Sequence, residues 1–183
     1  MKKICLTGGI ACGKSLLSRF LNELGVETLD ADDIVHGLIP AEERRRLAKV
    51  VFKDPAARRE LEARIHPLVK AKIDEWLATR NSQLTTPDSK LRIAIIPLLF
   101  EVHWEDNYDI ILAVVSSREN QIERMMATRG YTREEAEARI LAQMDVEEKA
   151  ARSHYVIRND GSPEQLREEA ARMVAWLKEQ EKT

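Results

Sequence analysis

The sequence predicts an α/β protein built on a parallel sheet, and three observations carry that expectation. Short apolar runs alternate with longer segments of helical periodicity. Two runs, "LRIAIIP" and "IILAVVS", are rich in β-branched apolar residues, as in strands covered on both faces. Near the start of the sequence the apolar run "ICL" leads into a glycine-rich loop that opens a helix. A chain of 183 residues is long enough for one good core and its composition marks no boundary, so one domain over residues 1–183 with an insertion is expected.

Charge and composition exclude several classes. With 29 Lys and Arg against 31 Asp and Glu there is no basic excess to hold a nucleic acid backbone. No segment approaches the ~20 apolar residues of a membrane span, and the sequence enters its first strand without a signal-peptide pattern, so a cytoplasmic location and no membrane partner are expected. The two cysteines, Cys5 and Cys12, lack the number and spacing of a disulfide framework or zinc site, which suits a reducing compartment.

Taken in order, Lys3 to Thr7 read as a short buried strand, followed by "TGGIACGKSL" and then by Leu16, Leu17, Phe20, Leu21 and Leu24 at helical spacing until Gly25. Gly8, Gly13, Lys14 and Ser15 fill the fixed positions of G-x-x-x-x-G-K-[ST], between the strand and helix that this motif requires. Glycines let the backbone bend until successive N–H groups face one concavity, and the helix start adds partial positive charge. The expected ligand is a nucleoside triphosphate at Gly8, Gly9, Ala11, Cys12, Gly13, Lys14, Ser15 and Leu16. Lys14 would reach the β- and γ-phosphates, and Ser15 would hold Mg²⁺. Cys12, just before a helix start and beside Lys14, reads either as a reactive thiolate or as a small residue tolerated in a loop.

"VETLD" reads as a second strand ending at Asp30. Ala41 to Arg80 is charged and helical, broken by Pro55 and Pro67, and "NSQLTTPDSK" is a polar linker to the two central strands. Three helix starts carry caps: Ser116 with Glu119, Thr132 with Glu135, and Ser162 with Pro163 and Gln165. "YVIRN" is a last strand, and Leu166, Ala170, Met173, Val174 and Leu177 form one stripe on the final helix. Ligands in parallel sheets bind at the carboxyl ends of strands, where Gly8, Asp30, Pro97 and Asn159 fall.

Neither the D-x-x-G nor the N-K-x-D of a GTPase occurs, and the central apolar runs end in proline and serine rather than in the aspartate of a large ATPase. The carboxylates sit instead in "DADDI", where Asp30, Asp32 and Asp33 follow the second strand. Transfer to an alcohol needs a carboxylate to take the hydroxyl proton or orient the nucleophile, and Asp32 is the first candidate. Asp30 and Asp32 also suit the N-cap of the helix that follows.

At this point the chain resembles the dephospho-coenzyme A kinase family nearly end to end. "LTGGIACGKS" looks like its phosphate loop, "LDADDIVHGL" its D-A-D motif, "RIHPLV" its H-P-L helix and "IIPLLFE" its P-L-L-x-E segment. "SSRENQIERM", "TREEAEARILAQM" and "YVIRNDGS" are similar to its pre-lid helix, lid helix and final strand. The resemblance implies a three-layer P-loop kinase fold with a helical acceptor-binding insertion, about 38–80, and a helical lid, about 124–150. It implies ATP-dependent phosphorylation, with Mg²⁺, of the ribose 3′-hydroxyl of dephospho-CoA, the last step of coenzyme A synthesis. Asp32 then corresponds to the base, Lys14 and Ser15 keep their roles, and Arg124 leads into the lid as a catalytic position.

Some positions depart from the family. Leu16 stands in place of its usual threonine, which leaves only the backbone N–H there. Thr128 stands where a second lid arginine is expected, and Arg129, one residue on, starts about 100° around a helix. A sizeable acceptor-domain stretch is absent between Leu38 and Arg44, so the insertion is shortened. His36 has no role, and His66 reads equally as a family match or as a structural hydrogen-bonding group beside Pro67. A shikimate kinase-like enzyme also carries D-x-D, but none of the seven glycines falls near Pro97 to supply its acceptor loop. An ATP-binding protein without transferase activity is the alternative from another class. A monomer is expected.

Overall fold

The computed structural model describes residues 2–40, 42, 54–79 and 91–182. The linker and most of the 41–53 stretch, including most of the residues across which a shortened insertion is expected, lie outside the described residues. The chain divides into two compact units, Met1–Thr28 with Thr85–Thr183, and Leu29–Leu84.

The first unit carries most of a five-stranded sheet. In chain order the elements are β1 (Ile4–Thr7), α1 (Lys14–Glu23), β2 (Glu27–Asp30), α2 (Ala31–Leu38), α3 (Pro55–Ala78), β3 (Arg92–Ile95), β4 (Ile110–Val115), α4 (Arg118–Arg129), α5 (Arg133–Leu141), α6 (Val146–Ala151), β5 (Tyr155–Arg158) and α7 (Pro163–Gln180). The strand order is β2-β3-β1-β4-β5, and β1 runs parallel to both neighbours, with Leu6 opposite Ile95 and Leu112. The connections after β1 therefore depart to opposite sides of it, and the crevice at its carboxyl end is where such sheets bind ligands. Every residue of β1, β3 and β4 is buried, as apolar runs covered on both faces require.

One core lies between the sheet and α1 with α7. Ile4, Leu6, Ile93, Ile95, Leu112 and Val114 meet Leu17, Phe20 and Leu21 from α1 and the whole stripe Leu166, Ala170, Met173, Val174 and Leu177. Capping boxes start α5 at Thr132 with Glu135 and α7 at Ser162 with Gln165, as the sequence predicts. The predicted cap Ser116 is corrected: α4 is capped by Ser117, whose hydroxyl accepts from Asn120 N. Ser116 is not available, because its buried hydroxyl turns its one proton toward Asn159 O at 2.9 Å and Asp160 Oδ1 at 2.8 Å, which share it.

In the second unit α2 packs against α3. Ala31 and Ile34 on the former and Val69, Ile73 and Leu77 on the latter are buried. The expected break at Pro67 does not occur, and α3 runs through it. An interior proline costs about 3 kcal/mol. The three aliphatic side chains that follow at four-residue spacing return ~1.5–3 kcal/mol each on burial, which outweighs it. Pro55 is the first residue of α3, where its missing N–H is no loss. No described helix is long and apolar enough to cross a membrane.

Candidate active site

β1 delivers the chain into the phosphate loop at a place where two glycines have no substitute. Gly8 has φ 153°, and a Cβ on it would lie 2.2 Å from the Val114 carbonyl oxygen of β4. Gly13 has φ 100°, and a Cβ there would meet Asn159 Nδ2 at 2.2 Å. Gly13 is also the N-cap of α1, which has no side-chain cap and no acidic residue in its first turn. The start of α1 thus has no carboxylate of its own beside it, and the helix dipole there favours an anion.

The loop carbonyls are taken by side chains. Lys14 Nζ donates to Gly8 O and Gly9 O at 2.8 Å each. Gln121 Nε2 donates to Ile10 O at 2.7 Å, Arg124 Nη1 to Ala11 O at 3.3 Å and Asn159 Nδ2 to Cys12 O at 2.9 Å. From Gly8 to Cys12 every carbonyl thus has a donor from a side chain, and its negative end is neutralised beside the place an anion would occupy. Arg124 also donates to Ser116 Oγ and, through Nη2, to Asn159 O at 2.7 Å, so a guanidinium and an ammonium both stand at the loop. Ser15 is exposed and Leu16 half-buried.

Cys12 is fully buried. Burial pushes its thiol above the ordinary value, against the smaller pull of Lys14, so desolvation wins and the reactive-thiolate reading is not supported. Cys5 is raised further by burial alone.

In the second unit Asp30 ends β2 as the N-cap of α2, its carboxylate accepting from Asp32 N at 2.9 Å. Asp32 and Asp33 lie exposed in the first turn of α2, where the helix dipole favours carboxylates. The cap belongs to Asp30, and Asp32 is left with an exposed side chain. His36 is exposed on α2, His66 lies half-buried within α3, and Thr128 Oγ1 bonds back to Arg124 O while Arg129 is exposed.

Sequence reasoning missed Gln121, Gln143, Lys149 and Glu101. Lys149 is fully buried, with its ammonium between Glu101 Oε1 at 2.7 Å and Pro97 O at 2.8 Å. Pro97 O also accepts from Thr7 Oγ1 at the end of β1. In "VEEKAA" that lysine reads as solvated, and a glutamine on a charged helix carries no signal at all. Asn159 was legible only as a residue at a strand end.

A parallel sheet whose central strand passes through a glycine-rich, lysine-bearing loop into an uncapped helix defines a P-loop kinase. Shikimate kinase from Acinetobacter baumannii has the same fold, with a TM-score of 0.58 at 15% identity over 98% of this chain and 94% of that one. The model of the dephospho-CoA kinase family matches residues 3–43 and 41–165, and the chain belongs to that family. It is 37% identical to dephospho-CoA kinase of Geobacter sulfurreducens over 188 aligned residues, covering 91% of this chain and 93% of the relative. The structure of dephospho-CoA kinase from Campylobacter jejuni superposes with a TM-score of 0.69 at 26% identity, covering 96% of each chain. That 188-residue alignment is longer than the 183-residue chain, so this chain carries gaps in it, and the two pieces of the family match meet at residues 41–43.

Proposed function

We propose that the protein transfers the γ-phosphate of ATP to the ribose 3′-hydroxyl of dephospho-CoA. The observation that carries the donor half is the loop from Gly8 to Cys12, whose carbonyls are all engaged by side chains while the start of α1 stays uncapped. Family membership carries the acceptor. Catalysis of this kind is positioning plus charge stabilisation. Lys14 leaves its loop carbonyls for the β- and γ-phosphate oxygens, Arg124 adds positive charge beside Ala11, and the amides of Gly13, Lys14, Ser15 and Leu16 hold the remaining phosphate oxygens.

Mg²⁺ fits the residues present. It prefers waters and phosphate oxygens with one or two protein ligands, and the exposed Ser15 hydroxyl at the start of α1 is one such ligand. When bound it would neutralise charge on the β- and γ-phosphates. Asp32 accepts the proton of the acceptor hydroxyl, a role suited to an exposed carboxylate that is not the cap. Residues 38–80 serve as a shortened acceptor-binding insertion and residues 124–150 as a lid. The enzyme works as a cytoplasmic monomer.

The test is to incubate the protein with ATP, Mg²⁺ and either dephospho-CoA or shikimate and to weigh the products. We expect one phosphoryl group added to dephospho-CoA and none to shikimate. Phosphoshikimate would replace the acceptor assignment, and ATP binding without either product would replace the enzyme by a binding protein.

A further inference from the structure

The tip of the phosphate loop is gripped by two side chains that neither the motif nor the proposed chemistry accounts for. Gln143 Oε1, in the turn between α5 and α6, accepts from Ile10 N at 2.8 Å. Gln121 Nε2, on α4, donates to Ile10 O at 2.7 Å. One residue is therefore held at both its N–H and its C=O by amides of opposite polarity. The next residue, Ala11, has φ 57°, a left-handed conformation that a residue with a Cβ adopts at a cost. Strain of this kind persists only where the surroundings over-determine it.

The surroundings do so here. Ile10 and Ala11 pack against a small separate core of Ile122 and Met125 from α4 and Ala136 from α5. The turn that carries Gln143 is itself tied down, because Met144 N donates to Glu101 Oε1, the atom that also receives buried Lys149. The loop conformation is thus imposed from α4, α5 and the α5–α6 turn, and Gly8, Gly13 and Lys14 do not impose it alone.

We propose that Gln121 and Gln143 are positioning residues for the transfer reaction, clamping Ile10 so that Ala11 is held left-handed and the N–H groups that follow it stand ready for the triphosphate. This rests on the reading of the loop as the ATP site. ATP affinity then depends on two glutamines that act through the backbone, and acceptor affinity does not.

The test measures the Kd of ATP·Mg²⁺ by calorimetry and both KM values for Gln143→Leu, Gln121→Leu, Ala11→Gly, the double variant Ala11→Gly with Gln143→Leu, and Lys14→Ala. Loss of one neutral hydrogen bond should raise the Kd of Gln143→Leu about three- to tenfold, with the KM for dephospho-CoA unchanged. Glycine needs no help at positive φ, so in the Ala11→Gly background the same substitution should change Kd by less than about twofold. Gln121 is almost wholly buried, so its replacement also costs folding stability, whereas half-buried Gln143 leaves the question answerable. An unchanged Kd in Gln143→Leu, an additive double variant, or equal rises in both KM values would each overturn the clamp. If Lys14→Ala weakens ATP binding while Gln143→Leu does not, only the clamp falls. If Lys14→Ala binds ATP normally, the nucleotide-site reading falls and the clamp with it.

Discussion

The phosphate loop and the acidic turn at the start of α2 are ordered in different ways. In the loop, Gly8 to Cys12 are held by Lys14, Gln121, Arg124 and Asn159, the last of these 147 residues from its partner. In the turn the bond that sets the helix start spans two residues, from Asp32 N to Asp30 Oδ1, and the side chains of Asp32 and Asp33 are exposed. A triphosphate needs many amides fixed at once, and their alignment must exist before the ligand arrives if binding is not to spend its energy on ordering the loop. A proton acceptor needs one carboxylate at the end of a strand, and a local cap suffices to place its backbone.

The largest effect should come from the sparsely held region. Asp32→Asn keeps the shape of the side chain but cannot take a proton, so kcat should fall by about 10²–10⁴ while calorimetric ATP affinity stays within twofold. Asp30→Asn should do much less, because Asn caps a helix nearly as well. If Asp30→Asn proves the more damaging in kcat, the two carboxylates exchange roles and the contrast between cap and base is lost.

Next comes the densely held region. Lys14→Ala should lower kcat/KM by about 10²–10³ through lost charge at the transferring phosphate, and should weaken ATP binding, which Asp32→Asn does not. Equal losses of ATP affinity in both variants would erase the division between donor and acceptor regions. Gly8→Ala tests the loop's packing rather than its charge. A Cβ 2.2 Å from a backbone oxygen must move β1 or β4, and a cost of roughly 3 kcal/mol would lower Tm by about 6–12 °C in a chain of this size. A Tm within a degree or two of wild type would mean that the end of β1 is free to shift.

The smallest effect is electrostatic. The Asp160 carboxylate accepts from Ser117 N, Ser116 Oγ and Asn120 Nδ2, and the Ser117 N–H bond is the main cause holding its carboxyl below the ordinary value of 3.8. A depressed folded-state value stabilises the protein above the unfolded value and loses that contribution as pH falls through the folded one. The Tm difference between wild type and Asp160→Ala should therefore be constant above about pH 5 and shrink below about pH 4. A difference that grows on acidification would reverse the sign of this account.

Much of the architecture was legible from local pattern. The strand ends, the stripe on α7, the capping boxes at Thr132 and Ser162 and the loop motif all rest on spacings of two to four residues, which a single stretch of chain displays. Where local pattern misled, a distant partner decided. Ser116 looks like a cap but is held by Asn159 and Asp160, and Pro67 looks like a break but lies in a helix sustained by the burial of Val69, Ile73 and Leu77. Cys12 looks like an activated thiol, yet burial outweighs its neighbouring charges.

The sequence by itself determined the fold class, the phosphate loop, the pair Asp30 and Asp32 and the family, because each is written in residues adjacent along the chain. Only the tertiary structure decided the strand order, which aspartate caps α2, and which side chains turn the loop into a rigid cradle. Gln121, Gln143, Lys149 and Asn159 acquire their parts from groups more than fifty residues away. An amide or an ammonium on a polar helix looks the same in sequence whether water or a buried backbone group will be its partner.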